Sequence, residues 1–86
     1  MLGKFLNMQP QGCLLNGKWA LVFRKDPKSL NRSPQVYMDK WKVSSNGIPL
    51  TFINRRKVNF QAAIETWNEL IEHGWMQTDF QSQYVA

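Results

Sequence analysis

Apolar residues recur at helical spacing between Phe60 and Trp75, and no other stretch of the chain is patterned so clearly. They share one stripe of an α-helix and comprise Phe60, Ala63, Ile64, Trp67, Leu70 and Ile71. Polar residues fill the opposite side, so the pattern predicts an amphipathic helix that lies on an apolar surface. Asn59 is a good N-cap, and Gly74 suits the left-handed position that ends a helix and lets Trp75 fold back on Leu70.

Ahead of this helix, apolar and polar residues alternate with a period of two, which predicts β-strands. The first two strands, 13–15 and 18–24, are separated by Asn16-Gly17. This pair tolerates the two positive φ angles of a type I′ turn, so it predicts a hairpin. The polar segment 25–34 that follows contains two prolines and predicts a surface loop.

Two further strands, 35–43 and 48–54, are predicted around the turn 44–47, whose glycine can take a positive φ. Pro49 cannot donate a hydrogen bond to a neighbouring strand. It therefore either begins the fourth strand or places that strand at an edge. In the third strand both sides carry bulky apolar residues, and the sequence leaves open which side is buried. The basic run 55–57 then leads into the helix.

One sheet face and one helix stripe must cover each other, because each is apolar on one side. The predicted fold is α+β, a three- to four-stranded antiparallel meander sheet with one C-terminal helix packed across a face. We expect a single domain over 12–75, with an N-terminal tail at 1–11 and a C-terminal tail at 76–86. Trp19 and Trp75 are expected at the rim of the core. The expected core comprises Leu21, Phe23, Val36, Met38, Leu50, Phe52, Ala63, Ile64, Trp67, Leu70 and Ile71.

Charge divides the chain into two unlike parts. Residues 1–58 hold all eleven Lys and Arg with only Asp26 and Asp39 as acids, a balance of +9. Residues 59–86 hold four acids and no Lys or Arg, a balance of −4, which together with +9 gives the net +5 of the chain. This division predicts a basic body and an acidic helix surface. The opposite charges can attract the helix and the sheet to each other within the molecule, or the basic part can attract an acidic partner.

Length and composition indicate a globular domain with one modest core: 86 residues, 43% apolar and 20% charged. Cys13 is the only cysteine, which excludes an internal disulfide and favours a reducing compartment. The first residues lack the continuous apolar run of a secretory signal, and no segment approaches the roughly 20 apolar residues of a membrane-spanning helix. We therefore expect a soluble cytoplasmic protein with no membrane contact.

The sequence offers little for catalysis or for a cofactor. His73 is expected to cap the helix or face solvent, and Cys13 to be buried or idle. One histidine and one distant cysteine cannot supply the three or four ligands of a metal site. Glu65, Glu69 and Glu72 share an exposed helix face, where we expect a solvated stripe of charge and no acid–base chemistry. We predict no catalytic residue, no cofactor and no metal, and an enzyme is not expected.

Binding is the remaining possibility, because four tryptophans are a high density and Trp and Arg anchor many interfaces. Trp67 is expected inside the core, whereas Trp41, between Lys40 and Lys42, is the best candidate for partial exposure. The alternatives are that Trp41 packs on the outer sheet and that the basic residues are merely solvated. The predicted partner-binding surface comprises Lys25, Lys28, Arg32, Lys40, Trp41, Lys42, Arg55, Arg56 and Lys57.

Residues 17–75 resemble a known family. The resemblance rests on Gly17-Lys18-Trp19, Val22-Phe23, Asp26-Pro27, Arg55-Arg56 and, most distinctively, Ala62-Ala63-Ile64, Trp67, Leu70 and Gly74-Trp75. This arrangement is similar to a domain of unknown function found in small proteins of marine unicellular cyanobacteria. The resemblance implies a cyanobacterial cytoplasmic protein and implies no activity, cofactor or catalytic residue. The same helix block resembles, more faintly, the end of WGR domains, some of which bind nucleic acid in repair enzymes. The Trp-Gly-Arg triplet itself is absent here.

Three hypotheses follow. The favoured one is a non-catalytic binding or regulatory module, an adaptor that docks on an acidic protein partner through its basic, tryptophan-containing surface. The alternative is a nucleic-acid-binding protein that uses the same residues, although no helix-turn-helix pair, aromatic RNA-binding strand motif or zinc spacing is present. The third is a homodimer that buries an additional tryptophan face.

Overall fold

A computed structural model describes residues 11–78. Five strands form one antiparallel sheet in the order β4-β3-β2-β1-β5, and a helix packs on one face. The elements are β1 (Gly12–Asn16), β2 (Trp19–Lys25), β3 (Gln35–Val43), β4 (Pro49–Asn59), α1 (Phe60–Glu72) and β5 (Met76–Thr78). The α+β class and the antiparallel sheet with a helix are therefore confirmed, but the prediction of three to four strands was wrong.

The additional strand is β5, which pairs antiparallel with β1 and sets Thr78 opposite Cys13. It lies at the start of segment 76–86, which the sequence pattern assigns to a tail. With three residues it is too short for a period of two to be recognised. Residues 1–10 and 79–86, which include most of the two predicted tails, lie outside the described residues.

The first hairpin turns one residue later than predicted. Asn16 pairs with Trp19, so Gly17 and Lys18 are the central residues of the turn. Gly17 has a φ of 60°, and no residue other than glycine has a positive φ among those described. A positive φ at the first central residue alone is the mark of a type II′ turn, so the expected type I′ turn was wrong.

Strand β4 both begins at Pro49 and lies at an edge of the sheet, which meets each condition that the proline set. It continues through Arg55–Lys57, whereas the sequence pattern ended the strand at Asn54. The extension was missed because almost every side chain in this stretch is exposed, so neither side shows an apolar row. Two bulges interrupt its pairing with β3, where Leu50 and Ile53 are the extra residues.

No loop separates β4 from α1. Asn59 is the last strand residue and also the N-cap, and its side-chain Oδ1 accepts the N–H of Ala62 at 2.7 Å. The N–H of Phe60, the first helical residue, donates to the carbonyl of Pro34 at 3.1 Å. The predicted cap is confirmed, and it lets the chain pass from extended to helical backbone within one residue.

The helix ends as the sequence predicted. Gly74 has a φ of 95°, and its N–H donates to the carbonyl of Ile71 at 3.1 Å. The N–H of Trp75 donates to the carbonyl of Leu70 at 3.0 Å. These two bonds form a Schellman motif, which turns the chain back towards the sheet and directs it into β5.

The main core lies between α1 and one side of the sheet, here called the helix face. Phe23 and Trp67 meet edge to face, with ring centroids 5.0 Å apart, so the burial of Trp67 is confirmed. The buried residues of this core are Leu14, Phe23, Val36, Met38, Ala63 and Trp67. The side of β3 that the sequence left open is thereby settled in favour of the Val36 and Met38 side.

Three residues expected in this core are exposed instead, namely Leu50 (60%), Phe52 (44%) and Ile71 (42%). Leu50 is the extra residue of a bulge on the edge strand. Phe52 lies on the other side of the sheet, where its ring meets Trp41. The sequence pattern could not locate the bulges, and each bulge shifts which residues of β4 face inward.

A smaller cluster occupies the side of the sheet away from α1, here called the outer face. Its buried members are Cys13, Ala20, Val22 and Val43, and the half-buried Leu15 and Trp41 pack against them. Burial raises the pKa of the Cys13 thiol from its ordinary 9.0 to about 12. Trp41 is half-buried, as its position between two lysines predicted.

Candidate binding surface

Strand geometry distributes the nine predicted binding residues over three places. Trp41, Arg55 and Lys57 lie on the outer face. The cations of the helix face are Lys25, Lys40, Lys42 and Arg56. Lys28 and Arg32 lie in the loop between β2 and β3. Residues that are adjacent in the chain are therefore separated, because successive side chains of a strand point to opposite faces.

Asp39 organises the outer face, although it is 5% exposed and carries a charge. Arg55 binds it with two parallel hydrogen bonds, Nε to Oδ1 at 2.7 Å and Nη2 to Oδ2 at 3.0 Å. The Nε of Arg24 lies 3.5 Å from the same Oδ2. The hydrogen bonds that Arg55 donates to Asp39 raise the pKa of Arg55, because they favour its charged form. A buried carboxylate is thus held by two guanidinium groups.

Three cations surround the ring of Tyr37. The guanidinium carbons of Arg24 and Arg55 lie 4.9 and 5.1 Å from the ring centroid, and the ammonium of Lys57 lies 5.8 Å away. Lys57 also lies 3.7 Å from a carboxylate oxygen of Asp26, which is itself buried. We call Arg24, Tyr37, Asp39, Arg55 and Lys57 the outer-face cluster. The three cations of this cluster make cation–π contacts with the ring of Tyr37, and the same cations form ion pairs with Asp39 or Asp26.

The sequence interpretation missed Arg24, Tyr37 and both aspartates as parts of this cluster. Arg24 lies directly opposite Tyr37 in the register of β2 and β3. The loop between these strands is too long to fix their register in advance. One signal could have indicated part of the cluster. Tyr37 and Asp39 are two residues apart, as are Arg55 and Lys57, and residues at this spacing in a strand share one face.

Aromatic contacts continue along both faces of β3. The rings of Trp41 and Phe52 meet edge to face on the outer face, with centroids 5.4 Å apart. On the helix face, the ammonium of Lys40 lies 4.6 Å from the ring centroid of the half-exposed Trp19. Arg24, Lys40, Arg55 and Lys57 are therefore each presented beside an aromatic ring.

The open edge of β4 exposes backbone groups as well as charge. The N–H of Phe60, at the end of β4, donates to the carbonyl of Pro34, which precedes β3. The N–H of Asp26, which follows β2, donates to the carbonyl of Gln35, the first residue of β3, at 2.9 Å. Hydrogen-bonded pairs alternate with non-bonded pairs in an antiparallel ladder, so even-numbered residues of this part of β4 bond to β3. The N–H and C=O groups of Arg55 and Lys57 consequently point to the open edge.

Other chemistry is sparse in residues 11–78. They contain no group of three or more His, Cys, Asp and Glu side chains that could hold a metal ion. The Nδ1 of His73 lies 2.7 Å from the carbonyl of Glu69, and the residue is the C-cap of α1. In the same part of the chain, no helix has the length and apolar character needed to cross a membrane.

These features define a small α+β domain whose edge strand carries three consecutive cations. Residues 15–82 match the model of a family described as a protein of unknown function, DUF1651. The chain belongs to this family, so the resemblance to an uncharacterised domain family is confirmed. No curated protein matches the chain. No solved structure matches it either.

Proposed function

We propose that this protein is a non-catalytic binding module, a small regulator or adaptor that docks on an acidic protein partner along β4. The observation that carries the proposal is the edge of β4 at Arg55–Lys57. Three exposed cations there accompany backbone groups that point away from β3. A soluble cytoplasmic setting and a cyanobacterial source, which the helix block suggests, belong to the same proposal.

An extended acidic segment fits this edge by adding a sixth strand. Such β-augmentation supplies affinity through main-chain hydrogen bonds and specificity through alternate side chains. Residues paired with Arg55 and Lys57 would share the outer face with them, and the residue between would lie on the helix face beside Arg56. Acidic residues opposite Arg55 and Lys57 would therefore each meet a cation on the outer face, and an acidic residue between them would meet Arg56 on the helix face.

The same cations disfavour pairing between two copies of β4. Lysine, proline and bulges on an edge strand are devices that prevent self-association, and β4 has Lys57, Pro49 and two bulges. Like charges brought opposite one another in a ladder are destabilising, whereas an acidic strand meets no such penalty. The edge therefore discriminates against a second copy and in favour of carboxylates. A homodimer through another surface is a separate outcome of the test below.

Nucleic acid is the alternative, since the cations attract phosphate as well as carboxylate. The backbone argues for protein: the outward carbonyls of Arg55 and Lys57 need hydrogen-bond donors, and a peptide strand supplies N–H groups where a phosphate has none. The faint likeness to WGR domains belongs with this alternative. If nucleic acid is the partner, the affinity should fall steeply with added salt. On duplex DNA, the plot of log binding constant against log salt concentration steepens by about 0.9 for each phosphate neutralised.

The test compares Lys57→Pro with Lys57→Gln in binding a short peptide of alternating Glu and Thr, measured by calorimetry. Both variants lose the cation and its contact with Asp26. Only the proline also removes the outward N–H, and it removes no hydrogen bond to β3. We expect Lys57→Gln to weaken binding modestly, and Lys57→Pro to weaken it about fivefold to tenfold further.

A peptide of the same sequence with N-methylated backbone nitrogens serves as the control, because it keeps every charge but cannot donate hydrogen bonds to the outward carbonyls of Arg55 and Lys57. Equal affinity for both peptides, or equal effects of the two Lys57 variants, would contradict edge addition. Tighter binding of duplex DNA than of the peptide at physiological salt would favour the nucleic-acid alternative. Light scattering on the same samples reports any concentration-dependent dimer.

A further inference from the structure

We propose that a cleft between α1 and the helix face binds a small amphipathic carboxylate. This helix-side cleft lies beside β2, β3 and β4 and has a volume of about 290 Å³. Sites for small molecules span roughly 300 to 1,000 Å³, so this cleft suits a ligand at the small end of that range. The inference goes beyond the proposed function, since it concerns a different face and a different class of ligand.

The cleft has an apolar floor and an aromatic wall. Leu21 and Met38 form the floor, and both belong to the core or pack against it. Trp75 forms the wall, and the Schellman motif fixes its backbone through the 3.0 Å bond to the carbonyl of Leu70. A hydrocarbon or aromatic group that enters here is removed from water, which is the main source of affinity in such sites.

Two cations complete the cleft. Lys40 and Arg56 line it, and no carboxylate is among its lining residues. The ion pairs formed within residues 11–78 use Asp26 and Asp39 as their acids, so neither cation of the cleft is neutralised by them. Arg56 presents a planar fork of donors that matches a carboxylate. The cleft thus combines an apolar interior with two cations that form no ion pair with a carboxylate of residues 11–78.

The polar groups are preorganised by the strands that carry them. Met38 lies opposite Arg56 and Lys40 opposite Asn54 in the register of β3 and β4, so all four point to the helix face. Lys40 is further held by its contact with the ring of Trp19, 4.6 Å from the ammonium. Asn54 and Thr66 add neutral donors from the sheet and from α1. Little ordering is needed when an anion enters.

These features select a ligand with one anionic headgroup and a short hydrocarbon or aromatic body. A fully polar anion would leave the floor of Leu21 and Met38 unused. A neutral apolar molecule would bury the side chains of Lys40 and Arg56 without compensation. The acidic protein partner of the proposed function lies along the strand edge and needs neither the floor nor Trp75.

The experiment titrates the full chain with 1-naphthoate and, as an uncharged analogue of the same shape, 1-naphthalenemethanol. Amide shifts in ¹⁵N–¹H spectra report the position of the ligand, and calorimetry reports its affinity. We expect saturable shifts at Leu21, Met38, Thr66 and Trp75 with the acid, and binding of the alcohol about tenfold weaker. Arg56→Gln is expected to weaken binding of the acid about tenfold, whereas Lys18→Gln, which removes an exposed cation from the first hairpin turn, leaves the affinity unchanged.

The inference is overturned by the absence of a saturable shift at these amides at millimolar ligand, by equal binding of the alcohol, or by equal affinity of the Arg56→Gln and Lys18→Gln variants. Lys40→Gln provides a second variant should Arg56→Gln lose its native spectrum. The alternating Glu peptide, added to the same sample, separates this site from the strand edge. Competition between peptide and 1-naphthoate would show that both occupy one site, contrary to the inference.

Discussion

Arg55 and Arg56 are neighbours in the chain, yet they lie in opposite environments. Arg55 donates two hydrogen bonds to the buried Asp39 and lies beside the ring of Tyr37 on the outer face. Arg56 lines the cleft on the helix face, where none of the ion pairs within residues 11–78 includes it. The difference arises from the period of two in a strand, which sends adjacent side chains to opposite faces. The three consecutive cations of β4 are therefore divided between the two faces of the sheet.

The same division applies to packing at the centre of the sheet. Phe23 faces α1 and meets Trp67, whereas its neighbour Val22 lies on the outer face among Cys13 and Ala20. The buried core on the helix face includes the large side chains of Phe23 and Trp67, whereas the buried residues of the outer-face cluster are all small. The stability of the protein should thus depend unequally on its two faces.

The largest expected effect tests this inequality. Phe23→Ala should destabilise the protein by about 3–5 kcal/mol, because it leaves a cavity beside Trp67. Val22→Ala removes less apolar volume and should cost about 2 kcal/mol. Urea unfolding followed by tryptophan fluorescence measures both. Equal losses at the two positions would break the comparison, and would assign the outer face an equal share of the core.

A second effect, of comparable size, concerns Cys13 and the alkaline limit of stability. Its folded pKa of about 12 exceeds the ordinary 9.0, so above pH 9 the unfolded thiol loses its proton while the folded thiol keeps it. The unfolded state then binds fewer protons, and stability falls with rising pH by up to about 1.4 kcal/mol per pH unit. This contribution is complete below pH 9.0 and is lost by about pH 12.

The measurement is the slope of unfolding free energy against pH in this range, compared between the native chain and Cys13→Ala. The variant should lose the additional slope, even though its stability at neutral pH also changes. Identical slopes would mean that water reaches the thiol, and that the outer face near β1 is not a dry cluster.

The smallest expected effect separates the two arginines. A double-mutant cycle of Arg55→Gln with Asp39→Asn should give a coupling of about 1 kcal/mol, since the pair is bidentate but Arg55 is half-exposed. The cycle of Arg56→Gln with Asp39→Asn should give a coupling below about 0.5 kcal/mol. Added salt should reduce the first value and leave the second unchanged. A coupling of Arg56 to Asp39 as large as that of Arg55 would refute the assignment of the two arginines to separate faces.

Local signals in the sequence were sufficient for the helix. Asn59, Gly74 and Trp75 marked its two ends, because caps depend on a few adjacent residues and their backbone preferences. The strands β1, β2 and β3 also followed from alternation. Pro49 required β4 either to begin there or to lie at an edge, because proline cannot donate to a ladder, and the strand does both.

Long-range pairing was beyond the reach of the sequence. The position of Arg24 opposite Tyr37 depends on the register of two strands joined by a long loop, which no local signal sets. The bulges at Leu50 and Ile53 reversed the expected orientation of part of β4. The cleft was missed for the same reason, since Lys40 and Arg56 come together only through the pairing of β3 with β4 and the path of α1 above them.

The connection from α1 to β5 has a consequence for the order in which the chain assembles. The hairpins of the meander pair strands that are consecutive in the chain, whereas β1 and β5 pair residues from opposite ends of the described chain, Cys13 with Thr78. Each doubling of a loop costs only about 0.6 kcal/mol, but several doublings outweigh what a three-residue strand gains alone. Once α1 has packed on the sheet, the Schellman motif holds Trp75 beside the sheet, so no long loop remains to be closed before β5 pairs with β1. We therefore expect β5 to pair with β1 last, after the rest of the molecule has folded.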